Sequence, residues 1–448
     1  VVNVDAVLLF EKAVRELDVA CALKTLLAQR HGLQVEIVQQ NYGYPDAFRT
    51  FRPRVVILPF CYQERSHNLY LLRWPQAIYF NLSWEQLFYP GNEKAKTPRG
   101  EFAVRHVIHH AWSDFYADLL KQQGVPAAHI FVNGQPAYQL YQPPYCNFFR
   151  SRSELAVTYS LDTQRRWLFF PENYNWAFYT PAMLTQMIND GQPAHQVQAM
   201  RDFSCQSFET VMRWCARLAD EDGLEVILRP RPSTPVDEFQ QRVTQVVGQL
   251  PARLHILQTE SVRDWILASD VVASSYSTSL IEASLAHRPV FMIEPFPLPE
   301  ALRQSWYNYL PRLTQVDDFR LRCRTAEATL AGQALGDWAR QNLLKRGDPI
   351  ANLVDYVARL IHGHITRPPR PRWQTIALEP KRLGAQAKML LHWVRWLRVQ
   401  ALWPPFFNTI EAEYRADMQA AAQLPARLTR WAQVLAEFHQ SSSRKQPY

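Results

Sequence analysis

The chain has 448 residues, 47% hydrophobic and 20% charged, which predicts a globular protein of two or three domains and excludes a disordered chain. Its net charge of +8 is uneven: residues from 365 onward hold 13 Lys+Arg against 5 Asp+Glu, and the preceding 364 hold 36 of each. The basicity therefore belongs to a C-terminal segment and does not mark the main body as nucleic-acid binding. No apolar run reaches the roughly 18–20 residues of a membrane-spanning helix. The opening Val-Val-Asn-Val-Asp is unlike a signal peptide. The six cysteines show no CxxC and no paired spacing, so reduced thiols in a cytoplasmic protein are expected.

Residues 1–150 alternate strand and helix. Val4–Phe10 reads as a strand, Glu16–Gly32 as a helix ended by glycine, and Val35–Gln39 as a strand. Arg54–Pro59, with its Val-Val-Ile-Leu core, reads as a buried strand. Ala77–Leu82 and Val107–Ala111 are further strands, Ser113–Gly124 a helix and Ile130–Val132 a strand. The alternation restarts with a helix at Arg152–Tyr159 and a strand at Trp167–Phe170. A helix at Ser207–Asp222 precedes strand Val226–Leu228. Helix Val236–Gln249, strand Leu254–Leu257 and helix Ser261–Ser269 follow. Strand Val271–Ala273, helix Ser279–Ala286 and strand Val290–Ile293 complete the set. Asp348–His362 reads as a helix that crosses back to the first half. The pattern predicts two doubly wound parallel sheets: one domain over 1–150, a second over 151–345, a crossover helix at 346–365 and a helical tail over 366–448.

In the tail, Arg-Pro-Pro-Arg-Pro-Arg at 367–372 reads as an extended linker. A helix over 381–403 would set Lys388, His392, Arg395 and Arg398 on one face and Met389, Leu390, Trp393, Trp396 and Leu397 on the other. Such a helix suits either the inner-membrane surface or packing on a protein.

Two stretches carry anion-binding chemistry. Arg229-Pro-Arg231-Pro follows one apolar run, and Tyr276-Ser277-Thr278-Ser279-Leu-Ile-Glu282 follows another. Arginines after one strand and hydroxyls at a helix start after another can hold a nucleotide phosphate, with Glu282 accepting from a ribose. The alternative makes Ser-Thr-Ser an N-cap and Glu282 its capping-box partner. Three carboxylates follow strands, where open α/β sheets place ligands: Glu11, Glu85 and Glu172. Glu172 stands in a polar-aromatic stretch with Asn173 and Tyr174, and Trp84 flanks Glu85; these three neighbours are candidate substrate contacts. Glu11 is either catalytic or an ion-pair partner of Arg15. Asp220-Glu-Asp222 spells a DxD, but at a helix end before Gly223 it reads as a solvated turn, and no metal is expected.

The order of several pieces resembles a bacterial family of surface carbohydrate biosynthesis proteins that includes β-Kdo transferases of the GT-B fold. They are Phe10-Glu11 with Arg15-Glu16-Leu17, Leu58-Pro-Phe-Cys-Tyr62, Asn81-Leu-Ser-Trp84-Glu85-Gln86, Phe170-Pro-Glu172-Asn-Tyr174, Arg229-Pro-Arg231-Pro and Tyr276-Ser-Thr-Ser-Leu-Ile-Glu282. The resemblance implies two Rossmann-type domains facing one cleft and a CMP-activated donor, most often Kdo. It implies transfer to a growing surface glycan by a cytoplasmic enzyme with no metal cofactor. Relatives usually carry His-Pro where this chain has Arg231-Pro232. Alternatives are another donor, such as CMP-sialic acid or CDP-glycerol, and a non-catalytic scaffold of the same fold. A retaining mechanism needs a carboxylate nucleophile, for which Glu172, Glu85 and Glu11 are the candidates.

Overall fold

The computed structural model describes residues 1–41, 43–62, 68–90, 93–232, 234–327, 332–370 and 417–443. The predicted 381–403 helix lies outside the described residues. The chain forms two units. One comprises Val1–Phe88, Asn92–Leu140 and Asn342–Tyr448, and the other Tyr89–Gly91 and Tyr141–Gln341. The division after Leu140 precedes the expected residue 150 because the intervening stretch is tied to the second unit. The Tyr141 hydroxyl donates to Glu282, Gln142 Nε2 to Leu285 O at 2.8 Å, and the Arg150 N–H to the Asp264 carboxylate at 2.7 Å.

The first unit is built on β1 (Val2–Phe10), β2 (Val35–Gln39), β3 (Phe51–Leu58), β4 (Ile78–Asn81), β5 (Val107–Ala111) and β6 (Ile130–Val132). They form one sheet of order β2-β1-β3-β4-β5-β6, parallel at every pairing. Val7, Val56 and Tyr79 are in register across its centre and fully or almost fully buried. Runs of Val, Ile and Leu make such strands because both faces of a parallel sheet are covered. The first helix, α1 (Ala13–His31), ends at Gly32, whose φ of +64° supplies the left-handed turn that closes it.

The second unit holds β7 (Trp167–Pro171), β8 (Glu225–Arg229), β9 (Leu254–Ile256), β10 (Val271–Ser274), β11 (Val290–Ile293) and β12 (Arg312–Leu313). Their order is β12-β11-β10-β7-β8-β9, again all parallel. The helix expected at 207–222 begins earlier, at Ala194, and runs to Asp220. Helices at Pro181–Asn189, Val316–Thr325 and Gln333–Leu343 join the predicted elements.

Each sheet has a point where the chain changes direction. In the first unit it lies between β1 and β3, and in the second between β7 and β10. In an open α/β sheet the loops leaving such a strand pair diverge, and the crevice between them is the usual ligand position. The helix Pro349–His362 belongs to the first unit and packs on α1, as does the C-terminal helix Leu424–Ser443. Trp431 and Leu435 of that last helix are buried.

Gly134, just after β6, adopts φ +128°, and a Cβ there would stand 2.8 Å from the Leu343 carbonyl oxygen. That backbone atom cannot move away easily, because the Gln135 N–H also donates to it at 2.9 Å. Gly134→Ala should therefore lower stability by about 1–3 kcal/mol through clash and backbone strain. A melting temperature equal to that of the parent protein would contradict this contact.

Candidate active site

In the second unit Glu172 follows β7 directly. Its N–H continues the ladder to Arg229 O at 2.9 Å, which carries the side chain past the sheet edge. The carboxyl is buried, at 4% exposure. Oε1 accepts the Tyr174 N–H, and Oε2 has no hydrogen-bond partner. Burial raises the Glu172 pKa from 4.5 to about 7, against the opposing pull of the Tyr174 N–H and Arg231. A buried carboxyl with one idle oxygen is costly in a structural role and common in a reacting one.

Arg231 stands beside it, and its Nη1 donates to Asn173 Oδ1 at 2.8 Å. Asn173 and Tyr174 therefore have distinct tasks. Asn173 orients the guanidinium, while Tyr174 gives its N–H to Glu172 and places its buried ring 6.5 Å from that of Tyr276. Tyr89 and Phe203 flank Tyr276 at 6.4 and 6.2 Å. The Tyr276 carbonyl accepts the Tyr89 and Tyr307 hydroxyls, each at 3.4 Å. Glu172 and Tyr276 thus follow β7 and β10, the two strands at the switch point. Tyr89, Phe203 and Tyr307 were not found in the sequence, where isolated aromatics carry no positional signal.

Arg229 does not join Arg231. The expected pair separates because β8 ends at Arg229 and Pro230 breaks the two-residue alternation. The Arg229 guanidinium is buried, and its Nη2 donates to the carbonyls of Gln258 (3.3 Å) and Glu260 (3.1 Å). Burial lowers its pKa to about 10, which leaves it charged at neutral pH. Its task is to hold the 258–260 loop, whose Glu260 has φ +61°.

The hydroxyl run begins the helix Ser279–Leu285. Thr278 occupies the N-cap position without a side-chain capping bond, and Ser277 Oγ accepts the Ser279 N–H at 3.3 Å. The capping-box alternative is not formed. Glu282 receives the Tyr141 hydroxyl instead, and burial pushes its pKa upward against the pull of Arg263 and Tyr141.

In the first unit Glu11 and Glu85 are gathered by one cation. Arg15 donates to Glu85 Oε1 at 2.8 Å, Glu11 Oε2 at 3.1 Å and Glu16 Oε1 at 2.6 Å. Its guanidinium lies 5.0 Å from the Phe60 ring centre. Lys96 binds the other oxygen of Glu85. Burial would raise the Glu85 pKa, but Lys96 and Arg15 outweigh it and hold the carboxylate below its usual value. Glu11 therefore takes the ion-pair alternative, and each oxygen of Glu85 is held by a cation. Glu16 is the member that sequence reading missed. It is fully buried, accepts the Glu11 N–H at 2.7 Å, and is pushed upward by burial while Arg15 pulls it back. Trp84 is buried next to Glu85, with no partner on its indole N–H. Gln86 locks this loop by donating to Ser83 O and His110 O at 3.0 and 2.9 Å.

Asp222 of the DxD is not in a solvated turn. Its carboxylate receives Arg320 Nε and Nη2 at 2.6 and 3.0 Å. Among the described residues no group of three His, Cys, Asp or Glu side chains is placed to hold a metal ion. No helix among them is long and apolar enough to cross a membrane.

No protein-family model matches the chain, and no curated protein does. Solved structures do. The wall teichoic acid polymerase TagF aligns at TM-score 0.52 and 11% identity, over 80% of this chain and 88% of that one. The same polymerase soaked with CDPG aligns at 0.51 and 12%, over 81% and 88%. The UDP-GlcNAc 2-epimerase of Neisseria meningitidis bound to UDP-GlcNAc aligns at 0.50 and 10%, over 80% and 100%. At such identities the likeness shows the fold, which is GT-B: two doubly wound α/β domains, here with an added helical C-terminal part.

The buried Glu172 makes stability depend on pH. The folded protein keeps this proton up to about pH 7, whereas an exposed carboxyl releases it near 4.5. The contribution is complete below the lower value and is lost as pH rises through the upper one, a change on the order of 3 kcal/mol. Melting temperatures between pH 5 and 8 should therefore fall less steeply for Glu172→Gln than for the parent. Parallel profiles would show that Glu172 is ionised throughout.

Proposed function

We propose that the chain is a glycosyltransferase that moves a sugar from a nucleotide donor, CMP-Kdo, onto a growing bacterial surface polysaccharide or lipid-linked glycan. The observation that carries this reading is the idle, buried Glu172 oxygen beside Arg231 at the switch point of a GT-B domain. Arg231 and the Ser277–Ser279 segment would take the donor phosphate. The reaction is read as retaining. The ionised Glu172 attacks the anomeric carbon, and the bond to phosphate breaks with its electron pair passing to CMP. The acceptor hydroxyl then displaces Glu172 from the glycosyl ester, and its proton passes to the departing CMP. The first unit serves the acceptor: Arg15, Glu11 and Glu85 offer hydrogen bonds and Phe60 an apolar face to a polyhydroxylated chain. No metal cofactor enters this scheme. The enzyme works in the cytoplasm, with the basic 381–403 segment bringing it to the inner-membrane surface.

A second reading keeps the fold and site but changes the donor to another cytidine nucleotide, CMP-sialic acid or CDP-glycerol. The likeness to a polymerase studied with CDPG supports it. Incubation with each donor and a panel of lipid-linked acceptors, followed by mass spectrometry, separates the two readings. A protein that binds no nucleotide would instead be a scaffold.

Two substitutions test the site. Arg231→Ala should weaken CMP binding by about 1.5–3 kcal/mol, the range of a charge-assisted hydrogen bond; unchanged titration calorimetry would remove Arg231 from the phosphate site. Glu172→Gln keeps the shape and should abolish transfer with CMP affinity nearly intact. Turnover within about tenfold of the parent would rule out Glu172 as the reacting carboxylate.

A further inference from the structure

α1 carries the first unit's ion cluster, yet its own sequence cannot cap it. Lys12 stands at the N-cap position with no side-chain capping bond. The acceptor comes from the far end of the chain: Asp417 Oδ1 receives the Ala13 N–H at 2.7 Å. Its Oδ2 lies 3.5 Å from Lys12 Nζ. Two further attachments hold this segment in place. Arg427 donates to the buried Asp18 carboxylate, and Trp431 is fully buried in the same unit. The residues that Asp417 touches, Lys12 and Ala13, lie in the turn between Glu11 and Arg15, two members of the cluster. The Glu11 N–H reaches across the turn to Glu16 Oε2 at 2.7 Å, and Arg15 radiates from it to Glu11, Glu16 and Glu85.

We infer that Asp417 is a positioning residue for the acceptor site. It supplies from the C-terminal segment the cap that α1 lacks, and so fixes where Arg15 presents Glu11 and Glu85. A carboxylate at this point also complements the positive end of the helix. The inference rests on the proposed acceptor role of the first unit, but its structural half is testable without it.

The experiment uses the full-length protein and three variants. Asp417→Ala removes the acceptor oxygen, Asp417→Asn keeps one, and Asp417→Gln carries it one methylene too far and replaces the alanine variant if that does not fold. Hydrogen-exchange mass spectrometry of the peptide over residues 11–17 should show exchange several-fold faster in Asp417→Ala or Asp417→Gln, with Asp417→Asn near the parent. In the transfer assay Asp417→Ala or Asp417→Gln should raise the acceptor KM at least fivefold, leaving CMP affinity within twofold, and Asp417→Asn should restore most of the loss. Unchanged exchange in the 11–17 peptide overturns the cap. Faster exchange with an unchanged acceptor KM overturns the positioning role. A parent protein without transfer activity refutes the proposed function and leaves the exchange result to decide the cap.

Discussion

Parallel pairing is the constraint from which the rest follows. Every strand contact in both sheets is parallel, so each connection must return over a face and each strand ends at the same edge as its neighbours. Glu11 and Glu85 in one unit, and Glu172, Arg231 and Tyr276 in the other, leave strands in the same direction and collect at those edges. Residues far apart in sequence become neighbours without any dedicated device. The reversal of strand order beside β1 and β7 then leaves room between adjacent loops where side chains can face a ligand.

The two edges treat their carboxylates in opposite ways. In the first unit Arg15 and Lys96 each hold one oxygen of Glu85, and Arg15 also holds Glu11 and Glu16. Those groups stay where they are because removing one partner would leave another charge uncompensated. In the second unit Glu172 is met by the backbone of Tyr174 and Arg231 and by a guanidinium that is itself directed to Asn173.

The strands were legible because buried parallel strands are short apolar runs, and β2, β5, β6 and β11 fall at the residues the pattern marks. Helix starts were less so. Residues 194–206 carry three Gln with His195, Arg201 and Asp202, and Val197, Met200 and Phe203, though spaced by three, are isolated among polar and small residues and make a weak signal. Glu172 could be found because a carboxylate after a strand and a proline has few structural reasons to be there. The separation of Arg229 from Arg231 could not, since it depends on a strand ending one residue before Pro230. Glu16 looks like an ordinary first-turn glutamate, and its burial against the Glu11 N–H and Arg15 is a tertiary result that no local pattern marks. Asp417 is beyond any local pattern, because its partner lies 404 residues away.

That last contact bears on how the molecule assembles. The first unit is discontinuous, and its third segment begins at Asn342, after the whole second unit has been synthesised. The β1–β6 sheet can form from the first 140 residues, but the face of α1 that holds Asp18 stays uncovered until Arg427 and Trp431 arrive. A buried carboxylate without its guanidinium is unfavourable, so Arg427 ties the last helix of the chain to the first. The second unit, apart from Tyr89–Gly91, is continuous from Tyr141 to Gln341 and needs no such wait. Contacts of high sequence separation therefore close the unit that carries the ion cluster, whereas the second unit is built almost wholly from one stretch of chain.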